Sequence, residues 1–461
     1  MRSNMVFGKN ILPYQDEILK ALARMVAIPS VCGPSEEGKP FGGESARALN
    51  EILKIASELG FTTKNVGNYA GHAEYGTGDE YAAVVAHVDV VPAGSGWETD
   101  PFCLTRKENL FFGRGTSDDK GPAVAALYGL KALKDAGVTG KRKLRVIFGA
   151  GEEIASGDLA MYFKSEPLPV MAFTPDSSYG ICNREKGILR VGFRRKRGPG
   201  EIVRSFSAGT VVNAVPAEAE ALVAGDFLER LKKAARRTDG DFRFEAADDG
   251  VKVISIGKAH HGAEPQLGFN AASHLVRLLG QALSEEELGP FLGFLNRAIG
   301  TETDGTSLGV KMSDEPSGTL TLNLGIVRLN ASAASASIDI RYPVTKNGRD
   351  IFNTIRGRAE KAGVSAEMAD HNAPLYFPED HPLVHLLSDA YQAVEGVPAE
   401  LYATGGGTYA RDIPGRAVAF GADFPGQPDN HIHNGNEFLD LGRFMEHAQI
   451  CLEAMYRLMT A

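Results

Sequence analysis

Three short apolar runs, each of strand length and each ending in acids, constrain the fold of this chain more than any other feature. Residues 81–89 read YAAVVAHVD, residues 143–153 read KLRVIFGAGEE, and residues 170–176 read VMAFTPD. Runs of β-branched and small apolar residues suit strands buried on both faces, and such strands belong to parallel sheets covered by helices. Segments with helical spacing at 14–28, 43–59 and 123–136, and a further strand at 62–66, alternate with these runs. The alternation predicts an α/β layer fold. In open parallel sheets, ligands bind beyond the carboxyl ends of the strands. His87, Glu152, Glu153 and Asp176 all fall at such ends.

Each end taken alone has two readings. Residues two apart on a strand share a face, so His87 and Asp89 can project together. That pair is either a metal ligand with the carboxylate that orients it, or a polar strand end with a satisfied histidine. Asp118 and Asp119, in GRGTSDDKGP (113–122), precede the helix at 123–136. A helix N-terminus favours negative charge but needs only one acid as a cap. Glu152 and Glu153 diverge in extended geometry, so one can hold a metal while the other faces a water; a solvated acidic loop is the alternative. Jointly, the imidazole and the hard carboxylates suit zinc, manganese or cobalt. They exceed the needs of one tetrahedral site, which makes a two-metal centre the economical explanation.

A length of 461 residues exceeds one ordinary core and predicts two domains. From about residue 186 the pattern changes. Strands are expected at 187–197, 210–214, 250–256, 317–329 and 335–342, and helices at 217–235, 271–283, 291–299 and 348–361. This mixture reads as an α+β insertion. A helix at 381–394 and a strand at 416–420 return to the first type. The expected division is a catalytic domain in two segments, 1–185 and 380–461, with mainly parallel sheet flanked by helices, interrupted by an inserted domain at 186–379. The glycine run at 404–408 (TGGGT) lets backbone N–H groups approach a ligand closely, but lacks the Lys-Ser/Thr ending of a nucleotide loop. His381 and His385 share a helix face without the Glu of H-E-x-x-H and read as structural.

The net charge of −9 argues against nucleic acid and anionic membranes as partners. The N-terminal stretch lacks the apolar core of a signal peptide, and no run approaches the ~18 apolar residues of a membrane span. Four cysteines without C-x-x-C spacing point away from a disulfide framework and toward the cytoplasm.

The motifs H-x-D, G-R-G-x-x-D-x-K-G, G-x-E-E, a lone Asp after T-P, and a late H-x-x-x-E follow one another in this order along the chain. In this they resemble the co-catalytic metallopeptidase family of aminoacylase, carnosinase and PepV. The segments GTVVNAVPA (209–217), GKAHHGAEPQLGFNA (257–271) and ASIDIRYP (336–343) resemble the lid of its PepV-type Xaa-His dipeptidases. The resemblance implies a monomeric hydrolase whose inserted lid closes over a small peptide. It implies His87 and Asp176 on one divalent metal ion and Glu153 and His433 on the other. Asp118 would bridge the two, ahead of a bond that tends to be cis in this family, and His433 rather than His431 lies four before Glu437. Asp89 would orient His87, and Glu152 would act as general base toward a water bridging the metals. His261 would stabilise the transition state. Asn213 and Arg341 would hold the substrate carboxylate, with Gly406, Gly407 and Thr408 lining its pocket. Zinc is the expected metal, with manganese or cobalt as fitting substitutes. An N-acyl amino acid or succinyl-diaminopimelate deacylase would share this chemistry; a metal-stabilised binding protein would not need Glu152.

Overall fold

The computed structural model describes residues 6–154, 157–198 and 201–461. The first five residues of the expected segment 1–185, its residues 155 and 156, and residues 199 and 200 of the expected insertion lie outside the described residues. The chain divides into two compact units. One runs through Asn183 and resumes at Tyr376–Tyr402 and Gly407–Ala461; the other comprises Arg184–Leu375 and Ala403–Gly406.

The main sheet of the first unit runs in the order Thr62–Val66, Ala70–Tyr75, Lys143–Gly149, Tyr81–His87, Met171–Thr174 and Ala417–Ala419. The last four of these are mutually parallel, the first two are antiparallel additions at one side, and beyond Ala417–Ala419 the sheet continues with the antiparallel strand Ile181–Glu185. Tyr81–His87 is buried along its whole length, as its unbroken apolar run predicts. Helices Gly43–Glu58, Lys120–Asp135 and Leu441–Thr460 pack against this sheet. Ala70–Tyr75 (AGHAEY) was not expected as a strand, because neither composition nor alternation marks it. It becomes one by pairing with a neighbour on each side. No helix among the described residues is long and apolar enough to cross a membrane.

The second unit is built on an antiparallel sheet of eight strands. Their order is Asp241–Ala247, Gly250–Ile256, Glu218–Ala224, Val203–Ala208, Thr321–Leu329, Ala333–Tyr342, Gly187–Lys196 and Ser365–Asn372. Helices Leu228–Ala235, Ala271–Ala282, Pro290–Ala298 and Gly348–Lys361 share one hydrophobic cluster with it, including Leu231, Leu275, Phe294 and Ile355 against Phe193, Val223, Val253 and Ile338. Two expectations need correction here. Residues 210–214 are not a strand; the strand is Val203–Ala208. The expected helix at 217–235 is a strand, Glu218–Ala224, followed by the helix Leu228–Ala235. Ala and Glu favour helix locally, but Ala219, Ala221 and Val223 are buried with a period of two and the segment is hydrogen-bonded on both edges. Gly225, at φ 90°, then turns the chain between strand and helix.

Candidate metal centre

Parallel pairing places His87 opposite Gly149, with Met171–Thr174 on the other side of Tyr81–His87. The loops bearing Asp89, Glu152, Glu153 and Asp176 therefore leave one edge of the sheet side by side. The His87 ring is fixed at Nδ1, 3.1 Å from the Asp89 carbonyl and 3.4 Å from its carboxylate. Its Nε2 faces Asp118 Oδ1 at 2.9 Å and Asp176 Oδ2 at 3.9 Å. The other oxygen of Asp118 lies 2.9 Å from His433 Nε2, which is 3.2 Å from Glu153. One carboxylate thus presents an oxygen to each of two imidazoles, and each imidazole has a further carboxylate beside it.

Asp89 does more than orient an imidazole. Its Oδ1 accepts from Glu152 N and its Oδ2 from Glu153 N, both at 3.1 Å, so one buried carboxylate also sets the turn carrying both glutamates. Asp158 and Tyr409, which carry no sequence signal of a role, complete that turn. Asp158 Oδ2 accepts from Ala150 N (2.9 Å), Gly151 N (3.0 Å) and Tyr409 OH (2.5 Å). The Tyr409 ring meets His87 edge to face, with 6.4 Å between centroids. Gly149 is required there, since a Cβ would come within 1.8 Å of the Tyr409 hydroxyl.

The electrostatics are those of an acid cluster short of cations. Burial, and then the charge of Asp176, pushes Glu152 well above the ordinary carboxylate range. Burial, and then Asp118, raises Asp176 to about 7. Hydrogen bonds to Asp118 and Glu153 raise His433 to about 10. Burial disfavours the charged form of His87, yet its hydrogen bonds to Asp118 and Asp89 carry its pKa well above the usual value. Carboxylates that attract protons to neighbouring imidazoles attract a divalent cation by the same Coulomb logic. The donor set fits one. Ligand atoms of His87, Glu152 and Asp176 lie within 4.8 Å of one another, as do those of His87, Asp118 and Glu153. Glu152 is therefore within ligand reach as well as beside the cluster.

Asp119 occupies a different place from Asp118. Its Oδ2 accepts from His87 N at 3.1 Å, it is buried, and the Asp118–Asp119 peptide is cis. His431 packs its ring against Phe438 and donates its N–H to Asp429, while His433 faces the acids. His381 caps the helix Pro382–Glu395 by accepting from Leu383 N.

In the second unit, Asn213 O accepts from Gly262 N at 2.7 Å, and Ala214 forms an antiparallel bridge with His261. His261 Nδ1 accepts from Ala263 N at 3.3 Å, and desolvation, followed by the charge of Arg341, lowers its pKa. Arg341 directs Nε and Nη2 to Asp339 Oδ2 at 3.0 and 2.9 Å and Nη1 to Gly405 O at 2.5 Å. Its Nε edge is thus engaged internally rather than open, as a substrate-facing fork would leave it. Gly406 N donates to Thr404 Oγ1. Thr408 caps the short helix Tyr409–Asp412 through Ala410 N, and Gly407 lies against Arg411.

The family model described as Peptidase family M20/M25/M40 matches residues 83–460. The chain belongs to this family, and is a metal-dependent peptidase whose family implies divalent metal ions. YtjP of Bacillus subtilis, provisionally named a dipeptidase, is 34% identical over 462 residues, covering 97% of this chain and 98% of the relative. A provisionally named dipeptidase of Staphylococcus aureus is 32% identical over 98% of this chain and 99% of its own. Among solved structures, human carnosine dipeptidase 1 superposes with a TM-score of 0.58 at 15% identity, covering 98% of each chain. Aminoacylhistidine dipeptidase from Vibrio alginolyticus superposes with a TM-score of 0.56 at 16% identity, covering 95% of this chain and 96% of that one. These two share the fold.

Proposed function

We propose that the protein is a dipeptidase that hydrolyses short peptides with two divalent metal ions, one held by His87 and Asp176, the other by Glu153 and His433, and Asp118 between them. The observation that carries this reading is Asp118, whose two oxygens each lie 2.9 Å from a different imidazole. Zinc fits the donors best, and manganese or cobalt would also suit them. When bound, the metal pair supplies Lewis acidity, polarising the scissile carbonyl and making a water acidic near neutrality.

The chain's own groups do the rest. Glu152 in its carboxylate form takes the proton of the attacking water and passes it to the leaving amine, and its raised pKa makes that carboxylate a stronger base than an ordinary glutamate. Asp89 keeps His87 in the tautomer whose Nε2 lone pair faces outward, and holds the Glu152 turn. In His261, Nδ1 accepts a backbone N–H, so the proton resides on Nε2, which can donate to the developing oxyanion. Asp339 and the Gly405 carbonyl fix the plane of Arg341, the residue we assign to the substrate carboxylate on the motif resemblance. Asn213 and the loop of Gly406, Gly407 and Thr408 complete the carboxylate pocket, and the inserted domain at 186–379 acts as a lid. A preference for Xaa-His and β-alanyl dipeptides is supported by the motif resemblance and by the names of the structural neighbours. Residence in the cytoplasm is supported by the four free cysteines, and a monomeric state rests on the motif resemblance.

The test is metal analysis of protein purified without chelator, joined to a substrate panel. Dipeptides with a free amino group should be cleaved, and N-acetyl or N-succinyl amino acids should not. Hydrolysis confined to the acylated compounds would replace the dipeptidase reading with a deacylase.

A further inference from the structure

The motif arginine Arg114 and the terminal motif residue Glu437 take no part in the chemistry described above, yet they form a fully buried ion pair beside the site. Each side chain is 1% exposed, with Arg114 Nη1 2.6 Å from Glu437 Oε2. Glu437 also accepts from three points of the Asp118 loop: Gly115 N at 3.0 Å, Ser117 N at 2.9 Å and Asp118 N at 3.2 Å. Its own backbone carbonyl accepts from Gly113 N at 3.0 Å. Arg114 Nη2 turns the other way, to Ala93 O at 3.2 Å and Asn434 O at 3.1 Å, with the Trp97 ring against the guanidinium. Asn436 joins the same loops, donating to Gly96 O and accepting from Glu98 N. At Gly435 a Cβ would come within 2.4 Å of Ser95 O, so these backbones are in direct contact.

Three loops meet at this pair. One follows His87, one leads into Asp118, and one follows His433. A buried ion pair is a poor stabiliser in itself, because desolvation offsets most of its Coulomb gain. A planar guanidinium that reaches the carboxylate with one nitrogen and the carbonyls of two other loops with the next, while the carboxylate also binds three backbone N–H groups, does fix geometry. We propose that Arg114 and Glu437 are positioning residues that set the three ligand-bearing loops in register and so determine metal affinity. The proposal rests on the reading of His87, Asp118 and His433 as metal ligands.

The experiment is calorimetric titration of metal-free protein with Mn2+, alongside thermal unfolding, for the wild type, Arg114→Lys, Glu437→Gln and the double variant Arg114→Met/Glu437→Met. Lysine keeps the charge but loses the fork, and the double variant removes both buried charges at similar volume. Each folded variant should bind Mn2+ about 10- to 100-fold more weakly, the range for lost outer partners of metal ligands. Raised Mn2+ should restore kcat to Arg114→Lys with KM little changed, a rescue that a purely structural role would not produce. Wild-type affinity in Arg114→Lys, or in a folded double variant, overturns the proposal. A wild type that binds no Mn2+ instead overturns the two-metal reading beneath it.

Discussion

In the second unit, the acids whose pKa is displaced are part-exposed and held low by partners. Arg230 and the N–H of Ser284 hold Glu287 down to about 2. Lys311 and Thr306 hold Asp304 down against its partial burial, and Ser317 and Thr345 do the same for Asp314. In the first unit Asp118 is also held low, by hydrogen bonds to His433 and His87 against its burial, but other acids around the site move the other way. Burial takes Asp158 to about 6, and burial with the charge of Asp118 takes Asp176 to about 7. The second unit completes its charges internally, as Arg341 with Asp339 also shows. The first keeps several carboxylates together with two imidazoles as their nearest positive partners. The difference separates a scaffold from a site: in one the displaced acids are paired as folded, and in the other crowded, buried carboxylates favour a cation beside them.

The largest effect expected from this contrast is on chemistry. Glu152→Gln should lower kcat by about a thousandfold, within the range for losing a general base, while metal content measured by mass spectrometry stays near that of the wild type. Retained turnover would remove Glu152 from its role and leave the site a passive metal cage.

The next effect concerns stability and distinguishes the two units directly. For Asp176 the folded pKa of about 7 lies above the ordinary value of 3.8. Its contribution to stability is therefore fully present below pH 3.8 and is lost as pH rises through about 7. Metal-free protein should show weakening hydrogen-exchange protection in the first unit between pH 4 and 7, and Asp176→Asn should flatten that slope. Added metal should reverse the loss. Equal weakening across Arg184–Leu375 would break the comparison.

A smaller effect tests the second unit's proposed service to substrate. Arg341→Lys should raise KM about tenfold for free dipeptides, the order of one charge-assisted hydrogen bond at 1.4 kcal/mol per decade, and much less for C-terminally amidated ones. Equal effects on both would assign Arg341 to the architecture with Asp339 alone. The smallest expected effect is at Glu287. Its lowered pKa means that its pair with Arg230 and its capping box act above pH 4.5 and fade as pH falls toward 2. Glu287→Gln should cost less than about 1 kcal/mol at neutral pH, as for exposed pairs and caps, and leave kcat unchanged.

Much of this was legible along the chain. The strands at 81–87, 143–149 and 171–174 are largely apolar because both of their faces are covered, so their composition marks them. The acids stand out because each falls where an apolar strand run ends. The strand Glu218–Ala224 was not legible, because its residues prefer helix and only two neighbouring strands overrule them. The edge strands Asp241–Ala247 and Ser365–Asn372 escaped notice for a related reason. Each pairs on one side only and is largely polar and exposed, so it shows little of the apolar signal of a buried strand.

By itself the sequence determined the parallel core, the presence of an α+β insertion, and a family that works with metal, because these follow from local periodicity and short motifs. Tertiary structure alone decided that Asp158 and Tyr409 hold the Glu152 turn. It also decided that Arg114 meets Glu437 across 323 positions of chain. A hydrogen bond depends on distance in space, and no local preference records which distant residue will supply the partner.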